Sequence, residues 1–287
     1  MAATSTANVF TRDALRGKIA FVTGGGTGIC KDIAQTLLEH GCAGVAIVSR
    51  KMAVLEQSAR ELTAKAAAAG ASGVCVALAA DVRVPEQIEK ALADCVARFG
   101  KLDILVNGAA GNFLALSAKM SYNAFKTVIE IDLLGTFYTS RAAYPYLVKS
   151  KGNIINITMT NHYTGMQLQA HAGAAKSGID AMTRHHAVEW GQDGIRVNAI
   201  APGPIENTEG MSKLAPPGYN ETLQRTIPLG RMGTVREVAN AVLFLASEAA
   251  SYVTGAILVV DGAAWMTIGG MNYPDGIEAF KQLKAKL

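Results

Sequence analysis

Short runs of β-branched and aliphatic residues alternate with longer Ala- and Leu-rich stretches along the chain. Ile19–Thr23, Val45–Ser49, Val74–Leu78, Leu102–Asn107, Asn153–Thr158, Ile195–Ala201 and Ala256–Asp261 are largely apolar, the pattern of strands covered on both faces. Between them apolar positions recur at helical spacing, most clearly over Pro85–Phe99, Tyr122–Val148 and Ala170–Trp190. This alternation predicts an α/β fold: a Rossmann-type, doubly wound parallel sheet of about seven strands with helices on both faces. No low-complexity linker interrupts it, so residues 1–287 are expected to form a single domain. The rhythm breaks at an insertion at residues 203–230 and in the tail at residues 263–287. The insertion carries Gly203, Pro204, Pro216, Pro217 and Gly218 and follows a strand's C-terminal end, where a substrate-covering loop would sit.

Composition removes several alternatives. The 287 residues are 50% hydrophobic and 17% charged, enough apolar material for a substantial core. No run reaches the roughly 18 apolar residues of a membrane-spanning helix. Residues 1–18 lack an apolar signal-peptide core, so neither a membrane span nor a cleaved leader is expected. Cys30, Cys42, Cys75 and Cys95 have no zinc or redox spacing and read as reduced, mostly buried residues. The five histidines form no metal-binding pattern, and no metal is expected. A net charge of +4 suits anionic phosphates but is too small to indicate nucleic acid.

The first strand runs directly into Gly24, Gly25, Gly26, Thr27, Gly28 and Ile29. Glycines between a strand and a helix let the backbone turn tightly and approach a pyrophosphate, which then sits on the helix N-terminus. That placement predicts dinucleotide binding rather than a plain turn. An enzyme choosing NAD usually ends its second strand with Asp or Glu, which holds the ribose hydroxyls. This chain has Ser49, Arg50 and Lys51 there. A guanidinium matches a 2′-phosphate in a fork, so Arg50 favours NADPH; an exposed basic strand end is the plainer alternative.

These features resemble the short-chain dehydrogenase/reductase family over nearly the whole chain. Thr23–Gly28 is similar to the family's TGxxxGxG turn, with Cys30 in place of the last glycine. Asp81 and Val82 resemble the pair bordering the adenine, and Asn107–Ala110 resembles the turn after the fourth strand. Among these, the resemblance implies cofactor contacts at Asp81, Val82, Asn107 and Ala109. Pro202, Gly203, Ile205 and Thr208 fall in a segment resembling the one that holds the nicotinamide carboxamide. Ser251–Gly255 and Asp261-Gly262 resemble the family's last strand and its flanks.

The catalytic positions depart from that pattern. The family's Tyr-x-x-x-Lys ends at Lys176, which puts Ala172 in the tyrosine position; the usual serine falls near Met159 and the helix asparagine is Asp132. A carbonyl reductase needs an acid touching the oxygen of the carbon that receives hydride, and alanine supplies none. One branch has these departures: the peroxisomal 2,4-dienoyl-CoA reductases, which Ala109–Phe113, Asp132, His171–Lys176 and Ala201–Gly210 resemble. Mitochondrial relatives use a tyrosine where this chain has Asn161, which points to the peroxisomal branch.

That resemblance implies NADPH-dependent reduction of a 2,4-dienoyl-CoA thioester to a trans-3-enoyl-CoA, in β-oxidation of unsaturated fatty acids. Hydride enters a carbon remote from the thioester oxygen, so the site needs stabilisation of a dienolate and a proton source rather than a phenol. Asp132 and Lys176 are the expected catalytic residues: the lysine anchors the nicotinamide ribose, and the aspartate orients or relays through water. For the substrate, Asn112 is expected to bond the thioester region and Phe113 to wall the acyl chain. Arg50, Arg83 and Lys213, with Ser121, Tyr122 and Asn123 nearby, are implied for the CoA phosphates. His171 lies about 140° around the helix from Lys176 and is expected to face away. The alternatives are another short-chain reductase with a different enoyl or carbonyl substrate, or a catalytically silent NADPH-binding protein. The resemblance also implies a homo-oligomer. The ending Ala285-Lys286-Leu287 is a close variant of Ser-Lys-Leu and predicts capture by the peroxisomal import receptor.

Overall fold

A computed structural model describes residues 10–208, 223, 226–267 and 281–282. Seven parallel strands form one sheet: β1 (Ile19–Thr23), β2 (Gly44–Ser49), β3 (Val74–Ala79), β4 (Ile104–Asn107), β5 (Asn153–Ile157), β6 (Arg196–Pro202) and β7 (Ile257–Val260). Their order is β3-β2-β1-β4-β5-β6-β7. Each lies within two residues of the run expected for it, because strands buried on both faces are almost continuously apolar.

Alternate strand residues feed two cores. Ala20 and Val22 of β1 face α1 (Gly28–Glu39), α2 (Met52–Ala68) and, further along the sheet, the helix Val235–Ala246. Phe21 faces the opposite layer of α3 (Pro85–Phe99), α5 (Gly135–Ser150) and α7 (Ala170–Trp190). Such two-faced burial places both layers against one sheet. The chain leaves β1 toward β2 and β3, then crosses to β4 on the other side of β1. A crevice opens beyond the strand ends at such a reversal, where ligands of open α/β sheets bind.

The bounds expected for α3 and α7 match those observed. The expected single helix Tyr122–Val148 is a correction: it comprises α4 (Tyr122–Val128), a π-helical segment Ile129–Leu134 and α5. A widened turn hardly disturbs apolar spacing, so periodicity does not reveal it; such turns recur at functional sites. Here Asp132 lies inside that turn and is buried, while the Thr136 hydroxyl donates to its carbonyl at 2.6 Å. After β5 comes the short α6 (Asn161–Thr164); α8 is Val235–Ala246 and α9 is Ala264–Thr267. Among the described residues no helix is long and apolar enough to cross a membrane, and no cluster of metal-ligating side chains occurs. All four cysteines are free and buried.

Candidate active site

The β1–α1 turn lies where the sheet reverses direction. Gly24 has φ +71°, its N–H donates to Val48 O at 2.7 Å, and a Cβ there would lie 2.8 Å from Gly108 O. Nothing lies within 4 Å of the Cβ position of Gly28, and Thr27, the N-cap of α1, makes no side-chain cap. Backbone donors and open space at the N-terminus of a 12-residue helix fit an anionic pyrophosphate. Gly25, Gly26 and Ile29 complete the same turn and first helical residues. The non-family Cys30 is accommodated by Gly108: Sγ donates to its carbonyl at 3.7 Å, and any Cβ at Gly108 would collide with that sulfur. Burial pushes the Cys30 thiol up to about 12, so it is an uncharged packing group.

Beside this turn, Arg50 is exposed at the end of β2. Asp81 accepts from the Arg83 backbone at 3.0 Å and from its guanidinium at distances down to 2.6 Å. Those hydrogen bonds hold the Asp81 carboxyl below its ordinary range, and the Arg50 charge adds to the effect. Arg83 is therefore already paired within the protein, which the sequence reading missed. Val82 is buried against Gly135, and Asn107 donates from its buried side chain to Ser140 Oγ and Asn156 Oδ1, both at 2.9 Å. Val82 is occupied with packing, whereas the buried Asn107 Oδ1 has no partner among the described residues. Ala109 N donates to Thr23 Oγ1 at 3.2 Å, tying the β4 turn to the glycine turn.

At the other end of the crevice, Lys176 Nζ lies 3.2 Å from Asp132 Oδ2 and donates to Ile157 O at 3.0 Å. The other Asp132 oxygen accepts from Gly111 N at 2.7 Å. Asp132 thus joins Lys176 to the turn carrying Asn112 and Phe113. Asn112 Nδ2 donates to Gln169 Oε1 at 2.8 Å, and Ala115 N donates to Leu168 O at 3.2 Å. Ala172 is buried in an apolar patch with Val128 and Ala175, against which Phe113 and Met159 pack. Where a phenol would stand the surroundings are apolar.

His171, expected to face away from Lys176, is fully buried on that side, its ring 4.2 Å from that of Phe113. Its angle from Lys176 is unchanged; the Gly111–Phe113 turn folds over that second face of α7. Sequence reasoning also missed Asp180, one turn beyond Lys176, whose carboxylate meets His162 Nε2 at 2.9 Å with both side chains buried. The four-residue spacing could have placed Asp180, but nothing marked His162 as its partner.

Pro202 ends β6, and Gly203 N donates to Val260 O at 3.0 Å. Ile205 is buried and pairs with Gly233, while Glu206 N donates to Gly233 O at 2.9 Å and Gly233 N to Pro204 O at 3.0 Å. The feet of the insertion are therefore pinned together, and Thr208 Oγ1 caps Ile205 O at 3.0 Å. Lys213 and the Ala285–Leu287 ending lie outside the described residues. Ser121 caps α4 by accepting from Ala124 N at 3.1 Å, and Tyr122 and Asn123 are exposed beside it.

Residues 24–263 match the family model described as enoyl-(acyl carrier protein) reductase. The peroxisomal 2,4-dienoyl-CoA reductase, (3E)-enoyl-CoA-producing, of Danio rerio is 49% identical over 263 residues, 91% of this chain and 85% of that protein. The protein of that name in Saccharomyces cerevisiae is 45% identical over 278 residues, 96% of this chain and 94% of its own. The solved citronellol catabolism dehydrogenase of Pseudomonas aeruginosa PAO1 has a TM-score of 0.77 at 35% identity, covering 90% of this chain and 98% of that one. With a family model spanning most of its length and such relatives along nearly all of it, this chain belongs to the short-chain dehydrogenase/reductase family.

Proposed function

We propose that this protein is a peroxisomal reductase that converts 2,4-dienoyl-CoA thioesters to trans-3-enoyl-CoA with NADPH, in β-oxidation of unsaturated fatty acids. The observation that carries this reading is the buried Asp132–Lys176 pair beside an apolar Ala172 in place of a phenol. A site without an acid at the carbonyl position suits hydride addition at a carbon remote from the oxygen. The relatives' names agree with it.

A nicotinamide cofactor belongs at the glycine turn of this family. Exposed Arg50 favours the 2′-phosphorylated form, because its fork pairs with a phosphate. Bound there, a nicotinamide would supply the hydride that the far end of the conjugated diene takes up. Lys176, fixed by Ile157 O and Asp132, holds the ribose and places positive charge near the developing dienolate. Asp132 holds Lys176 and the Gly111 turn in register, and through them orders the water that protonates the α-carbon. Phe113 walls the acyl chain, Asn112 bonds the thioester region, and Arg50, Arg83 and Lys213 bind the CoA phosphates beside Ser121–Asn123. To reach a phosphate, Arg83 shares its guanidinium between that anion and Asp81. The protein works as a homo-oligomer and is imported through its C-terminal tripeptide. A tagged chain lacking Leu287 should stay in the cytosol; its entry into peroxisomes would remove the tripeptide's role.

The decisive assay follows NADPH oxidation with a 2,4-dienoyl-CoA, beside a ketone and a simple 2-enoyl-CoA. Turnover of the dienoyl thioester alone is expected. Preference for either other substrate contradicts the proposal.

A further inference from the structure

The first turn of α7 holds a polar group that the proposed reaction has not used. His171 is fully buried, and neither ring nitrogen has a partner of good hydrogen-bond geometry among the described residues. Burial pushes the His171 pKa down, against the opposing pull of a weak hydrogen bond to the Phe113 backbone and of the Asp132 carboxylate. The imidazole is therefore neutral, with one N–H donor and one acceptor nitrogen. Leaving them buried without well-formed partners is costly, whereas phenylalanine or leucine would fill the space without that penalty.

The neighbourhood shows how such a donor could be used. The Phe113 ring lies against the imidazole at 4.2 Å, tilted by 32°, and is itself half-exposed. It packs against His171, which has no exposure of its own. The backbone carrying it is fixed: Gly111 N is held by Asp132, Phe113 N by Asn112 Oδ1 at 2.8 Å, and Ala115 N by Leu168 O. Asn112 is in turn held by Gln169, two residues before His171. With the turn pinned on both sides, the Phe113 ring is the part left to yield.

We propose that His171 is a catalytic residue, an imidazole N–H donor to the thioester oxygen that is uncovered when the Phe113 ring gives way to the acyl chain. This rests on the dienoyl-CoA reading. As hydride forms the new C–H bond at the far carbon, electron pairs shift through the π-system onto the thioester oxygen. His171 holds that charge by hydrogen bonding and keeps its own proton. The α-carbon then takes a proton from water, the electrons return, and a 3-enoyl thioester results with His171 unchanged. A donor aimed at charge that develops only during reaction lowers the barrier more than it tightens binding.

The test uses the full chain. His171→Phe keeps the ring volume and the stack against Phe113 but has no N–H. It should fold and bind NADPH as before, while kcat for a dienoyl-CoA falls by about 10²–10³, the usual loss for one such donor. His171→Ala separates packing from donation, and recovery of wild-type kcat by His171→Phe would overturn the proposal. A second readout needs no turnover: the infrared carbonyl band of a saturated acyl-CoA labelled with carbon-13 at the thioester, bound with NADP+. The unmodified protein should move that band to lower wavenumber, and His171→Phe should abolish the shift. An unshifted band in the unmodified protein, or a shift that survives His171→Phe, overturns the donor role. A His171-dependent shift in a protein that does not reduce dienoyl-CoA would instead sink the reductase reading.

Discussion

Two ion pairs mark the ends of the crevice and are built differently. Asp81–Arg83, near the glycine turn, is half open to water, with side chains 16% and 35% exposed. Asp132–Lys176, at the other end, is dry at 1% and 8%. Each outer residue is a neighbour of the other in sequence, so that pair forms by local geometry alone. The inner pair joins the π-helical segment to α7, and its second carboxylate oxygen holds the Gly111 backbone. A rim pair in high dielectric is exchangeable and can admit a competing phosphate. A dry pair cannot lose one member without leaving the other charge unpaired, so it serves to position.

The largest expected effect comes from breaking the dry pair. Lys176→Met strands the Asp132 carboxylate and should cost about 3–5 kcal/mol of unfolding free energy, with dienoyl-CoA reduction lost. Denaturant unfolding measures it; a loss as small as a rim pair's would remove the distinction between the two ends. Next is Arg50→Asp, which removes a charge-assisted fork and sets a carboxylate against the 2′-phosphate. NADPH affinity should fall by roughly 10–100-fold, as for a hydrogen bond to a charged group, while NADH affinity changes little. Equal efficiency with both cofactors in the unmodified protein would contradict this.

The smallest effect should come from Arg83→Ala, within about 0–1 kcal/mol of stability at neutral pH. Because Arg83 lowers the Asp81 pKa, the pair's contribution is fully present above the ordinary carboxylate pKa. It fades as pH falls through the lowered value, so variant and parent should converge in stability only in acid, below about pH 4. Convergence at neutral pH with divergence in acid would reverse the assigned sign.

Much of this contrast was legible in the sequence. The seven strands stood out because burial on both faces demands apolar residues at nearly every position, and Lys176 and Asp132 stood out at family positions. What escaped depends on contacts between distant segments. The π-helical turn leaves the apolar spacing almost intact. The burial of His171 escaped because helical angle gives its direction relative to Lys176, not what covers that direction; the cover is the Gly111–Phe113 turn, tied to α7 through Asn112 and Gln169, 57 residues apart. Arg83 was legible as a cation, but its capture by Asp81 was not considered.

The central claim is that Asp132 acts by positioning within a buried charged pair. Asp132→Asn probes it most directly, since it keeps the shape, places the family's usual residue there and removes only the charge. Its Oδ1 can still accept from Gly111 N, but its amide now faces the Lys176 ammonium. Measured side by side, NADPH binding by fluorescence should be nearly unchanged, while steady-state dienoyl-CoA turnover should fall by about 10²–10⁴. A folded, cofactor-bound Asp132→Asn protein that turns over as fast as its parent would contradict the account.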